Sequence, residues 1–357
     1  MARNAACSPF AVETGRRKVP RTGDEDFMGI IRRDFHLTTA DGVRIRVREV
    51  RSTTASGRTP MVLLHGTRIP GISEYDLPVE NGSLAADLAA SGHVCYIVDA
   101  RGFGQSERPA EMDQPPVPTR PLIRTIEISR DVDAAVDHLL ETSGQAKVGL
   151  LGWGVGATCV AMYAALNPEK VSHIVLYCMI YGGTADHASM KIGSIWDDPD
   201  NSGRFNQKRF GNYTFNGVDM LEHHWDQQIP IADKAAWRDP AMVAAFREAL
   251  LDGDPTARER DPPTYRSPNG MLEDLYLMGA KGQKLFHASQ IYCPVFIVNP
   301  EYDGLCRDTD MAVFCEDLYH APQIVHWQAS NCTHYLLLDR PERGRNEFLA
   351  RLDNFLS

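Results

Sequence analysis

KVGLLGWGVGA, Lys147 to Ala157, is the stretch that decides the fold. Lys147 to Leu151 reads as a short buried strand, Gly152 to Gly156 as a glycine-dense turn, and the residues through Leu166 as a helix. A strand, sharp turn and helix in this order form the context in which G-x-S-x-G holds a serine hydroxyl at the turn's tip. The positions here are Gly152, Trp153, Gly154, Val155 and Gly156, so the tip carries no hydroxyl. The tip residue of such a turn sits at positive φ, which strains an ordinary residue by on the order of 1–3 kcal/mol. Glycine accepts it without a Cβ penalty. Gly154 therefore preserves the turn while deleting the attacking group. Cys159 lies more than one helical turn further on, points away from the tip, and does not replace it.

Moving outward, Asp34 to Val50 alternates apolar and polar residues around Asp41-Gly42, which predicts a β-hairpin. Pro60 to His65 and Val94 to Asp99 are apolar runs of central-strand type, with a helix between them over Ser83 to Ser91. Thr125 to Leu140 places Ile128, Val132, Ala135, Val136 and Leu139 at helical spacing. Further strands are expected at Val171 to Tyr177, Pro294 to Asn299 and Gln323 to Trp327, and helices at Asp308 to Leu318 and Pro341 to Leu356. Strands alternating with helices imply an α/β fold with a mostly parallel sheet covered on both faces. The rhythm breaks over 181–289, too long a stretch for a loop, and one strong helix is expected within it near Pro240 to Leu251. Three parts follow: an N-terminal arm over 1–28, a core over 29–180 and 290–357, and an inserted, mainly helical cap over 181–289.

Composition excludes several classes. The 37 Lys+Arg against 47 Asp+Glu give a net charge of −10 without a basic cluster in the folded part. Nucleic acid is therefore not expected as a partner. No apolar run approaches the roughly 18 residues that span a bilayer, so no membrane association is expected. Arg16 and Arg17 suggest a twin-arginine export signal, but no hydrophobic segment follows them. The eight cysteines show no metal-type spacing, and Cys95, Cys159, Cys178 and Cys293 lie in or beside apolar runs. That usage fits a reducing cytoplasm without a disulfide framework.

Four segments in order carry a family resemblance: LLHG at Leu63 to Gly66, VDARGFGQS at Val98 to Ser106, the Gly152–Gly156 turn, and a late Asp followed by a later His. Together they resemble the α/β-hydrolase superfamily, in its capped esterase and epoxide-hydrolase-like branch. The resemblance implies a hydrolase with a catalytic triad, an oxyanion hole and a cap domain. It places the nucleophile position at Gly154, the acid at Asp303 in PVFIVNPEYDG and the base at His334, where Thr333 replaces the usual preceding glycine. The oxyanion donors would be the backbone N–H groups of Thr67 and Val155. Some members of the family place the acid one strand earlier, but Leu176 to Tyr181 contains no carboxylate, and Glu301 is the nearest competitor. His65 is expected to hold the oxyanion loop and not to transfer protons.

Three functional readings follow. In the first, the chain is a serine-type hydrolase of carboxylic esters, lactones or related acyl substrates with its nucleophile replaced by Gly154. In the second, Gly154 is natural and the His334–Asp303 dyad serves as general base for water activation, C–C cleavage, elimination or cyclisation. In the third, the chain is a non-catalytic ligand-binding homologue, although keeping both Asp303 and His334 argues against a retired site. Epoxide or haloalkane chemistry would need an aspartate at position 154.

The inserted segment carries Trp196, Phe205, Phe210, Tyr213, Phe215, His223, His224 and Trp225, which suits either an apolar or aromatic small-molecule substrate or a small core of its own. His223-His224 lacks the i, i+4 spacing of a zinc pair, so no metal is expected. RGFGQ and GWGVG miss the G-x-G-x-x-G spacing, and no cofactor is expected either.

Overall fold

The computed structural model of the chain describes residues 29–54 and 57–357. The expected arm over 1–28, with Cys7, Arg16 and Arg17, lies outside the described residues. In chain order the strands are β1 Ile30–Thr38, β2 Arg44–Ser52, β3 Met61–Leu64, β4 Cys95–Val98, β5 Val148–Trp153, β6 Val171–Tyr177, β7 Tyr213–Gly217, β8 Thr264–Pro268, β9 Val295–Pro300 and β10 Ile324–Ala329. The α-helices are α1 Gly71–Tyr75, α2 Leu84–Ala90, α3 Thr125–Ser143, α4 Val155–Leu166, α5 Gln207–Phe210, α6 Val218–Gln228, α7 Pro240–Asp252, α8 Gly270–Lys281, α9 Asp308–Asp317 and α10 Arg345–Phe355.

Eight strands form one sheet in the order β1-β2-β4-β3-β5-β6-β9-β10. β1 pairs antiparallel with β2 and β2 with β4, and every later pairing is parallel. The parallel strands read as continuous apolar runs because both faces are buried. In β4, Tyr96 and Val98 join the core on one face, while Cys95 and Ile97 join the core on the other. Helix α3 buries Ile128, Val132, Ala135, Val136 and Leu139, the residues at helical spacing in its sequence.

The order reverses at β3: β4 lies on one side of it and β5 on the other. In such sheets ligands bind beyond the carboxyl ends of the strands at the reversal. Register brings those ends level. Leu64 pairs with Gly152, Trp153 with Tyr177, and Tyr177 with Val298. The loop after β3, the turn after β5 and the loop after β9 thus open on one edge.

Between β6 and β9 the chain makes its long excursion, holding α5 to α8 and also a two-stranded antiparallel sheet of β7 and β8. The small sheet is an addition to the helical content expected there. Its alternation was obscured because β7, YTFNG, is short and polar at its end, while β8 contains Pro268. The terminal segment is also divided: a 3₁₀ turn at Pro341–Arg343 precedes α10, with Gly344 at φ 116° between them. No helix among the described residues is long and apolar enough to cross a membrane.

Candidate active site

Gly154 joins β5 to α4 at φ 59° and ψ −122°. Its N–H donates to the Tyr177 carbonyl at 2.8 Å, pinning the turn to β6. The flanking glycines are required by close approach. A Cβ on Gly152 would lie 2.4 Å from the Gly156 carbonyl oxygen, and one on Gly156 would lie 2.3 Å from that of His65. At Gly154 a Cβ would meet only Gly66 Cα, at 3.9 Å. The turn is therefore packed tight on both sides of one position that has room for a side chain.

Asp303 follows β9 and His334 follows β10. His334 Nδ1 lies 3.0 Å from Asp303 Oδ2, and their side chains are 10% and 0% exposed. The Leu305 N–H donates to the other carboxylate oxygen at 2.8 Å. Burial alone would raise the Asp303 carboxyl, but His334, the Leu305 amide and the Cys178 thiol hold it below its usual value. Glu301 faces elsewhere, accepting the Asn331 N–H at 2.7 Å in an exposed position.

Trp153, one residue before Gly154, donates its indole Nε1–H to His334 Nε2 at 2.9 Å. An indole only donates, so Nε2 is the acceptor and Nδ1 carries the proton that reaches Asp303. This tautomer is the one a general base needs, but its basic nitrogen is engaged. The indole is fixed in turn by an edge contact with Tyr177 at 4.9 Å between ring centroids. The Tyr177 hydroxyl donates to the His334 carbonyl at 2.7 Å. The indole's part was not foreseen, because position 153 carries no signal that would turn its ring toward a residue so distant in the chain.

Of the two expected oxyanion donors, Val155 opens α4 and Thr67 follows the His65-Gly66 pair. Neither backbone N–H finds an acceptor among the described residues. The Gly66 N–H is taken, donating to Glu74 at 3.0 Å. Glu74 was not foreseen either: it is 1% exposed, and burial raises its carboxyl well above the usual range. A lone acid inside the PGISEY stretch was the one available clue. His65 accepts the Ala100 N–H on Nε2 at 3.0 Å, and its Nδ1 lies 2.8 Å from the Gly66 carbonyl, so both ring nitrogens are spent on the loop.

Helix α6 of the excursion reaches the dyad. Gln228 accepts the His334 backbone N–H at 2.7 Å, and the His224 ring lies 6.0 Å from that of His334. Burial, with His334 nearby, lowers His224 to about 4, so it is uncharged near neutrality. The other rings mostly pack together. Trp196, Phe205 and Phe210 cluster, and Trp225 stacks on Tyr335 while donating to Asp339 at 2.8 Å. His223 turns to Gln227 and His224 to Tyr335, on separate partners. Cys178, Asp303 and His334 offer ligand atoms within 4.8 Å of one another. Those atoms cannot at once ligate an ion and keep the bond between Nδ1–H and the carboxylate. Burial also keeps the Cys178 thiol protonated.

The sequence matches the model of the α/β-hydrolase fold family over residues 59–341. Among curated proteins it is 27% identical over 195 residues to a poly(3-hydroxyalkanoate) polymerase subunit PhaC of Haloferax mediterranei, covering 50% of this chain and 37% of that protein. It is 26% identical over 149 residues to human lipase member K, covering 40% of this chain and 37% of the lipase. The chain thus spans well under two thirds of the length of either relative. Among solved structures, a thioesterase domain from the curacin biosynthetic pathway superposes with a TM-score of 0.55 at 15% identity, covering 91% of this chain and 99% of that domain. An esterase from Rhodococcus superposes with a TM-score of 0.55 at 18% identity, covering 90% and 98%. At those identities the structural matches speak for the fold alone, whereas the family match extends from just before β3 to beyond His334: the chain belongs to the α/β-hydrolase fold family.

Proposed function

We propose that this chain is an acyl-hydrolase frame for carboxylic esters, lactones or related small-molecule substrates, with Gly154 standing where the nucleophile belongs. One observation carries the reading: Gly152 and Gly156 leave no space for a Cβ, while Gly154 leaves it free, at the backbone geometry that would aim a side chain out of the turn. A serine there would face the oriented imidazole of His334, with the N–H groups of Thr67 and Val155 as donors to the developing oxyanion. The names of the relatives, a polymerase of hydroxyalkanoates and a lipase, agree with acyl chemistry. We read the excursion over 181–289 as a cap, because α6 supplies Gln228 and His224 to the base. As it stands the chain would bind substrate and retain only the catalysis that donors and binding give, roughly 10³-fold over water.

Gly154→Ser assayed on a panel of aryl and alkyl esters and lactones tests this. Turnover should rise by at least about 10³-fold, and adding His334→Ala should remove the gain. A folded serine variant no faster than the native chain would overturn the reading. The Nδ1–H bond to Asp303 also favours a second reading, in which the dyad of the glycine form acts as a base on water or on an acidic substrate proton. That reading predicts native activity that His334→Ala abolishes; activity surviving the change would end it.

A further inference from the structure

Arg68 follows the expected oxyanion donor Thr67 and sits at φ 68°, a conformation an arginine rarely adopts. Its Nε is buried without an acceptor. Among the described residues its side chain bonds only the Met220 sulfur of α6, 3.1 Å from Nη1, a weak acceptor without charge. No carboxylate of the described residues pairs with it. Burial accordingly lowers its pKa, and Tyr265 is the one group that acts electrostatically in the opposite direction. Tyr265, from β8, is 2% exposed and its hydroxyl too is buried without a partner among the described residues. Met220 lies one turn before His224 on α6, and the His224 ring is 6.0 Å from that of His334, so this corner borders the dyad.

Elsewhere among the described residues buried arginines meet carboxylates: Arg101 lies between Asp41 and Asp131, and Arg266 against Asp254 and Asp113. Arg108, also with an unbonded Nε, spends its Nη atoms on the carbonyls of Ser106, Gly104 and Gly253. A buried polar group left without its partner is destabilising, and a charged one more so, because water's hydrogen bonds are lost and nothing replaces them. The loop after β3 supplies one such group, a guanidinium, and β8 of the excursion supplies another, a phenol hydroxyl. A planar anion with two oxygens would answer both, taking the guanidinium fork on one side and the phenol on the other.

From these two unpartnered groups, with Arg68 directly after Thr67 and touching α6 one turn from His224, we infer that the substrate carries a free carboxylate, held by Arg68 and Tyr265 beside the reacting acyl group. The inference rests on the acyl-substrate reading for where the reacting carbon sits. Binding is tested separately from turnover, by calorimetry on the full chain with Gly154 in place. The probes are the mono-anilides of succinic, glutaric and adipic acids, each against the primary amide that replaces its carboxylate. At least one acid should bind about 10- to 100-fold more tightly than its amide, the range of a charge-assisted pair. Arg68→Gln should bring that ratio near one while leaving the amide's affinity within about twofold. Arg68→Lys, which keeps charge without the fork, should retain part of the preference and serves if the glutamine variant misfolds. No acid outbinding its amide, or a ratio untouched by either change, would overturn the proposal. Failure of the nucleophile reading would look different: an inert Gly154→Ser chain that still prefers acids over amides.

Discussion

Trp153→Phe, made both in the native chain and together with Gly154→Ser, measures whether the indole and a nucleophile compete for one nitrogen. In the native chain the change removes the donor 2.9 Å from His334 Nε2 and leaves a buried acceptor unsatisfied, at a cost of about 1–3 kcal/mol. It also shrinks a ring packed 4.9 Å from Tyr177, adding about 1–3 kcal/mol of lost packing. The packing loss is common to both backgrounds and cancels in a double-mutant cycle. The hydrogen-bond loss does not cancel, because the introduced serine hydroxyl takes over Nε2 once the indole is gone. Denaturant unfolding of the four proteins should therefore give a coupling of about 1 kcal/mol or more between positions 153 and 154, above the roughly 0.3–0.5 kcal/mol scatter of independent sites. The same exchange should speed acylation of the serine form by about fivefold, the equivalent of about 1 kcal/mol. Additive stabilities together with an unchanged acylation rate would refute the competition.

Three further outcomes follow from the geometry. Gly156→Ala should destabilise by about 3 kcal/mol or more, since its Cβ would sit 2.3 Å from the His65 carbonyl oxygen, whereas Gly154→Ala, with no such clash, should lose only the roughly 1–3 kcal/mol of positive-φ strain; equal melting shifts would contradict the reading of the turn. Added to Gly154→Ser, Asp303→Asn should lower kcat by on the order of 10³–10⁴ with little change in KM, because the asparagine amide cannot hold the Nδ1–H tautomer; an unaffected kcat would show that His334 is oriented otherwise. Asp339 accepts Trp225 and Trp237 from the excursion and Thr333 beside His334, yet burial raises it to about 7. Its folded pKa exceeds the unfolded value, so its contribution is complete below about 4 and is lost as pH rises through about 7. The stability of the native chain relative to Asp339→Asn should accordingly fall between about pH 4 and 7 and level off above, and a flat difference would count against it.

The α/β alternation was legible because buried parallel strands are written as unbroken apolar runs, and the turn at Gly154 because close packing demands glycine at 152 and 156. The pairing of Asp303 with His334 was legible through their places after β9 and β10. What stayed hidden depends on side-chain direction. Nothing local to Trp153 predicts a bond to a residue after the last strand. Glu74 sits on a helix too short to show a period, and Arg68 looks like any loop arginine until its lack of a counterion among the described residues is seen. The aromatic residues of the excursion were equally ambiguous: most turned toward one another, while the His224 ring of α6 lies beside that of His334. The small β7–β8 sheet escaped because a five-residue pair with one proline edge offers little alternation.

The intact mass of Gly154→Ser after exposure to 4-nitrophenyl butyrate, followed by peptide mapping, decides whether position 154 is the acyl-accepting one. One butyryl group is expected, carried by the introduced serine, absent from the native chain and strongly reduced when His334 is also replaced by alanine. A folded serine variant that takes up no acyl group, or takes it up at another residue, would contradict the assignment.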